Sequence, residues 1–278
     1  LNKALENNEM FLNFQPIISV QNGDIHGFEV LVRWESEELG SVPPFTFVQI
    51  AEETGAIVEI GTWIFETGCR FLKRMNEINP DIIMSINVSP VQLKKKDFLD
   101  KVRRTINVFQ VNPANIQVEI TETSLVEFID GNNDTIQKLA DMGIALALDD
   151  FGTGYSSFGY LKDMPIKTLK VDKSFVDEIC SKHKDYQITG SIIDMVKNLG
   201  IKTVVEGVES IEQYNILAEM KCDYIQGFLM SKPLNASDAM EFVETYEELH
   251  KPSRRSLEEN SNKLAAERLE REKHQAGQ

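Results

Sequence analysis

Residues 144–150 read Ile-Ala-Leu-Ala-Leu-Asp-Asp. Five apolar residues of strand length end abruptly in two acids, Asp149 and Asp150. A run this short and this apolar is a strand covered on both faces, and its polar end marks where it leaves the core. The same signature recurs in both directions along the chain. Upstream, Ile116 to Glu122 reads Ile-Gln-Val-Glu-Ile-Thr-Glu around Glu119, Met84-Ser-Ile-Asn-Val-Ser delivers Asn87, and Gly-Phe-Glu-Val-Leu-Val-Arg-Trp delivers Glu29. Downstream, Thr-Leu-Lys-Val-Asp carries Lys170, Glu206 follows Thr-Val-Val, and Gln226 follows Asp-Tyr-Ile.

Strand-length runs at 11–20, 28–34, 82–88, 116–120, 144–148, 168–171, 203–205 and 224–228 alternate with stretches of helical period. The clearest is 56–77, where Ile57, Ile60, Ile64, Phe65, Cys69, Leu72 and Met75 recur three or four apart. Others run over 97–108, 131–143, 185–199 and 210–220. Strand followed by helix, repeated eight times in about 245 residues, predicts an α/β fold closed into a modified TIM (β/α)8 barrel. Gln21-Asn22-Gly23-Asp24 between the first two runs is a hairpin signal, so the first strand is expected to be antiparallel. The barrel is expected over residues 1–248. Residues 249–278 form a charged tail, helical or disordered, in which 251–278 hold seven Lys or Arg and five Asp or Glu.

Twenty-nine Lys and Arg against 44 Asp and Glu leave a net charge of -15. Such a surface repels phosphate backbones, which argues against nucleic acid as a partner. Cys69, Cys180 and Cys222 are odd in number and form no CxxC pair, and the four histidines show no metal-ligand spacing. Any metal is therefore held mainly by oxygen, which selects hard cations. No apolar run approaches the ~18 residues of a membrane span, and Leu1 to Met10 do not read as a signal peptide. The chain opens at Leu1 without an initiator methionine, so a segment of a longer cytoplasmic protein is expected, with a membrane anchor elsewhere in that protein left open.

The polar residues sit at the carboxyl ends of the strands, where barrels of this type build active sites. Buried carboxylates need partners. With few basic residues on these strands, a divalent cation is the natural one. Lys170 reads equally as a counter-ion to the acids or as a catalytic group. Phe151-Gly-Thr-Gly-Tyr-Ser-Ser157 follows the paired aspartates; its third glycine position is serine and two acids precede it, so it reads as a mobile loop beside metal ligands and not as a dinucleotide cradle.

In order, Phe14-Gln-Pro-Ile17, Glu29-Val-Leu-Val-Arg-Trp34, Asn87-Val-Ser89, Glu119-Ile-Thr-Glu122, Asp149 to Ser157, Lys170 to Val176, Glu206-Gly-Val-Glu209 and Gln226-Gly-Phe228 resemble the motifs of the EAL domain family. That family consists of bacterial signalling phosphodiesterases that hydrolyse cyclic di-GMP. The signature tripeptide departs from the family's at Val30, which stands in place of Ala, and a packing adjustment is expected there.

The resemblance implies two Mg2+ or Mn2+ ions. Glu29, Asn87, Glu119 and Asp149 would hold one, and Asp149 with Asp150 the second. It implies Glu206 as general base with Lys170 orienting the water, Glu122 as anchor of the loop after Asp150, and Gln15, Leu31, Arg33, Asp172, Glu209 and Gln226 lining the nucleotide site. A homodimer and an upstream sensory domain are further implications. A non-catalytic cyclic di-GMP receptor or a signalling scaffold of the same fold is the alternative.

Overall fold

The computed structural model describes residues 1, 3–122, 134–152, 161–162 and 164–248. The chain opens with a hairpin: β1 (Met10–Ser19) and β2 (Ile25–Ser36) pair antiparallel, with Gln15 opposite Glu29. β3 (Gly40–Val42) extends the outer edge of β2. From β2 the sheet proceeds in parallel through β4 (Ile83–Asn87), β5 (Ile116–Thr121), β6 (Ala145–Phe151), β7 (Thr168–Val171), β8 (Lys202–Val205) and β9 (Tyr224–Gln226). β9 then pairs antiparallel with β1, Ile17 against Gln226, and the barrel closes. The expected barrel is present, and β1 runs against both of its neighbours. A hairpin turn can join only antiparallel strands, so entering through Asn22-Gly23 reverses this one strand in an otherwise parallel barrel.

The helices are α1 (Pro44–Thr54), α2 (Ile57–Ile78), α3 (Pro90–Leu93), α4 (Phe98–Phe109), α5 (Thr135–Asp141), α6 (His183–Asn198), α7 (Ile211–Glu219) and α8 (Ala236–Glu248). α2 buries the apolar face its period announced, from Ile57 through Cys69 and Leu72 to Met75. α8 was not anticipated; it buries Ala239 and Val243, and Phe242 meets Phe28 edge-on. Its Tyr246 hydroxyl donates to the Gly23 carbonyl and ties the helix to the opening hairpin. The helix expected over 131–143 is described only from Asp134 onward. The tail 249–278 and residues 153–160 of the glycine-rich loop lie outside the described residues.

Side chains alternate in and out along each strand, so positions two before the mouth residues form the layer beneath them. That layer contains Ser85, Gln117 and Thr168, all buried. Gln117 Nε2 donates to Ser85 Oγ at 2.8 Å, and Thr168 Oγ1 donates to Gln117 Oε1 at 2.8 Å. A satisfied polar chain inside a barrel restricts rotamers and fixes the floor on which the mouth residues stand.

At the seam between β2 and β4 the strands approach so closely that a Cβ on Gly27 would overlap the Ile83 carbonyl. Gly27→Ala is expected to destabilise the barrel by about 1–3 kcal/mol, as overpacking does. A urea denaturation midpoint equal to that of the parent chain would contradict this packing.

Candidate active site at the barrel mouth

Four acids arrive from four strands around one amine. Lys170 Nζ, on β7, lies 3.2 Å from Glu29 Oε2, 2.8 Å from Glu119 Oε2, 3.1 Å from Asp149 Oδ1 and 2.7 Å from Glu206 Oε1. Its side chain is 1% exposed and that of Glu119 is fully buried. Glu29 is also held by two amides: Asn87 Nδ2 donates to its Oε1 at 2.9 Å, and Gln226 Nε2 to its Oε2 at 2.7 Å. Gln226 Nε2 also lies 3.2 Å from Gln15 Oε1, and Gln15 Nε2 donates to the Ser231 carbonyl at 3.2 Å. The structure thus joins Gln15, Glu29, Asn87, Glu119, Asp149, Lys170, Glu206 and Gln226 in one network.

Lys170, one of whose two readings was as counter-ion to the acids, sits among them, at the mouth where a divalent cation was also expected. One ammonium against four carboxylates leaves a large negative excess. Among the described residues Lys170 is the only Lys or Arg in the buried set, and Glu119 Oε1 is buried without a hydrogen-bond partner.

Asp149 and Asp150 sit on an irregularity in β6. Leu148 pairs with Leu169 and Phe151 with Val171, so three steps on β6 match two on β7. Asp150 takes φ 54°, a left-handed conformation that costs a non-glycine residue free energy. The extra residue is a bulge, and it lets adjacent aspartates act at one mouth, where a regular strand would send them to opposite faces. Past β8, Gly207 takes φ +69°, and any side chain there would overlap the aliphatic stem of Lys173. This tight turn brings Glu206 onto Lys170.

Burial pushes the Glu119 carboxyl well above the usual range, with Glu29 and Asp149 adding repulsion that Lys170 only partly offsets. Burial also lifts Glu206, up to about 7, again against the pull of Lys170 and with the push of Glu29 and Asp149. Asp150 is raised by burial and then by Asp149. Glu29 moves the other way: burial would raise it, but Lys170 and the amides of Gln226 and Asn87 outweigh that and lower it. Lys170 is raised well above its ordinary value, because the four acids overcome the burial that would lower it.

The nucleotide-site candidates spread around this centre. Leu31 and Arg33 follow Glu29 at two-residue steps on β2, on the same face of the strand. Arg33 Nη1 donates to the Val32 carbonyl at 2.9 Å. Asp172 Oδ1 accepts from the Ser174 backbone at 3.0 Å, and Glu209 pairs with Lys173 at 2.9 Å. Glu122 is buried just past β5; the loop it was expected to anchor falls largely outside the described residues. Val30 turns away from the mouth and is buried toward α2, its Cγ2 3.6 Å from where a Cβ on Gly68 would stand.

Sequence reasoning missed Asn13. It lies opposite Leu31 and two residues before Gln15, and its Oδ1 is buried without a partner. Its place as a polar residue two before Gln15 in the apolar run of β1 was the available signal.

The donors that converge here are carboxylate and amide oxygens, the set that suits a hard cation, and the unpartnered Glu119 oxygen with the negative excess gives one an electrostatic reason to bind. Among the described residues no three acidic, His or Cys side chains are already disposed as a closed cage, since the acids are turned onto Lys170.

The fold and this site define a mixed β/α barrel whose mouth gathers an acid cluster. The EAL domain family model matches residues 1–233, and the chain belongs to that family. It is 37% identical over 243 residues to the signaling protein YkoW of Bacillus subtilis, covering 87% of this chain and 30% of YkoW. It is 34% identical over 258 residues to the cyclic di-GMP phosphodiesterase NbdA of Pseudomonas aeruginosa, covering 92% and 33%. The chain thus spans about a third of the length of these curated relatives. Among solved structures, a c-di-GMP complex of the PaMucR phosphodiesterase superposes with TM-score 0.81 at 34% identity, covering 85% of this chain and 96% of that one. The c-di-GMP-bound FimX EAL domain of Pseudomonas aeruginosa superposes with TM-score 0.76 at 25% identity, covering 84% and 93%.

The raised Glu206 carboxyl has a thermodynamic consequence. An acid at 4.5 in the unfolded chain and about 7 in the barrel makes the folded state bind more protons between those values. Its contribution to stability is therefore full below about 4.5 and lost as pH rises through about 7. With a chelator present, the stability difference between Glu206→Gln and the parent is expected to widen in favour of the variant by roughly 2 to 3 kcal/mol from pH 5 to pH 8. A difference that stays flat across that range, followed by chemical denaturation, would contradict the burial of this charge.

Proposed function

We propose that the chain is a divalent-metal-dependent phosphodiesterase that opens cyclic di-GMP to linear pGpG. The single observation that carries this reading is the cluster of Glu29, Glu119, Asp149 and Glu206 on Lys170, at the mouth of an EAL barrel. The similar proteins NbdA, a cyclic di-GMP phosphodiesterase, and PaMucR, a phosphodiesterase solved with c-di-GMP, supply the substrate class and the reaction. No described helix is long and apolar enough to cross a membrane.

Glu29, Asn87, Glu119 and Asp149 would hold one cation, and Asp149 with Asp150 a second, each Mg2+ or Mn2+. When bound, such a pair polarises the phosphodiester, lowers the pKa of a bound water and stabilises the leaving oxygen. Asn87 donates its amide hydrogen to Glu29, which leaves its Oδ1 for a ligand. Glu206, with a carboxyl near 7, is suited to take a proton from water at neutral pH, because a base works best near the operating pH. Lys170, 2.7 Å from Glu206, holds that carboxylate in place and favours the negative charge that develops on the attacking oxygen. Water oxygen forms the new bond to phosphorus as Glu206 takes its proton, the P–O3′ bond breaks, and the 3′ oxygen takes up a proton from solvent to leave as a hydroxyl while Glu206 releases the one it took. Gln15, Leu31, Arg33, Asp172, Glu209 and Gln226 surround the nucleotide, and Glu122 steadies the loop beyond Asp150. A homodimer fits the family resemblance.

Chromatography of cyclic di-GMP incubated with the chain and Mg2+ or Mn2+ is expected to show conversion to pGpG. Glu206→Gln and Glu29→Gln are each expected to lower turnover by about 10³-fold. Bound but uncleaved nucleotide with the parent chain would favour the receptor reading, and near-parental turnover in either variant would overturn these roles.

A further inference from the structure

We propose that Lys170 is the resident cation of the acid cluster, a built-in substitute that holds the mouth together before divalent ions load and that exchanges its ion pairs when they do. This rests on the reading that the mouth takes divalent cations.

The geometry supplies the argument. Lys170 comes from β7, and its partners come from β2, β5, β6 and the turn just past β8, so a single ammonium ties the ends of five strands together at the open end of the barrel. The amine has three N–H groups and four carboxylate oxygens within 3.2 Å. It cannot direct a hydrogen at all four, so at least one acid is always held by charge alone. With only 1% of its side chain exposed, the ammonium is shielded by the acids around it, and its stem holds it close to this point in the barrel. A buried cluster of like charges is unstable without an opposite charge at its centre. Lys170 supplies that charge from within the chain.

The contacts also indicate how the exchange divides. Glu29, Glu119 and Asp149 are the acids assigned to the cation, and Glu206 is not. Glu206 Oε1 lies at 2.7 Å, as close to the amine as the Glu119 oxygen at 2.8 Å. When the other three acids turn to a divalent ion, Lys170 keeps Glu206 and recovers N–H groups for a water beside it. The same amine is thereby a counter-ion in the metal-free barrel and a water-positioning group in the loaded one.

The test measures Mn2+ affinity by electron paramagnetic resonance, and melting in EDTA and in saturating Mn2+, for the parent, Lys170→Met, and Lys170→Met combined with Glu119→Gln. Lys170→Met is expected to melt about 10 °C below the parent in EDTA. Mn2+ is expected to recover most of that gap and to bind about tenfold more tightly than in the parent. The double variant, with one acid neutralised as the amine is removed, is expected to return to within a few degrees of the parent in EDTA. Should Lys170→Met fail to fold, recovery by the double variant carries the proposal and its failure to recover overturns it. A Lys170→Met chain that melts with the parent in EDTA, or that binds Mn2+ no more tightly, also overturns it. A parent chain that takes up no Mn2+ overturns the cation reading itself; that failure is distinguishable because the EDTA melts depend on charge balance alone.

Discussion

The imbalance between one buried ammonium and the four carboxylates it touches constrains everything else at the mouth. Strand pairing sets it, because Glu29, Glu119, Asp149 and Lys170 occupy inward positions at neighbouring strand ends. The barrel can close with Lys170 at the centre, and the distances of 2.7 to 3.2 Å show that it does. Yet the charges do not cancel. Burial, with repulsion from the neighbouring acids added, lifts Glu206 to about 7 and raises Glu119 well above the usual carboxylate range. A site that cannot neutralise itself attracts either protons or cations, and the carboxylate and amide oxygens gathered there suit hard cations.

The layer beneath the mouth supports this arrangement. Ser85, Gln117 and Thr168 hydrogen-bond to one another one step below Asn87, Glu119 and Lys170. They make the barrel floor polar but fully engaged, so the mouth groups stand on fixed backbone. The bulge at Asp149–Asp150, with its left-handed Asp150, is the one place where the regular strand is given up. Local strain there permits two adjacent acids to serve one opening.

Much of this was legible in the sequence. Short apolar strands ending in a polar residue predicted both the barrel and the identity of its mouth, and Asn22-Gly23 predicted the reversed first strand. These signals are periodic and local, so one sequence suffices to see them. That Lys170 could be a counter-ion to the acids was legible, but that it meets four of them at once was not, because a lysine inside Thr-Leu-Lys-Val reads the same whether it meets one carboxylate or four; only strand register decides. α1 escaped notice because it opens on Pro43-Pro44 and buries only Phe47 and Ala51. α8 buries Ala239 and Val243 on an otherwise polar segment. Asn13 was passed over because a single asparagine in an apolar run is a weak signal until its neighbour across the hairpin is known to be Leu31.

The account is tested most directly by anomalous diffraction from crystals of the chain soaked in Mn2+ and cyclic di-GMP. It predicts two manganese peaks within coordination distance of Glu29, Asn87, Glu119, Asp149 and Asp150, with the Lys170 ammonium withdrawn to Glu206. A map with no peak at the mouth, and all four carboxylates still resting on Lys170 beside bound nucleotide, would contradict it.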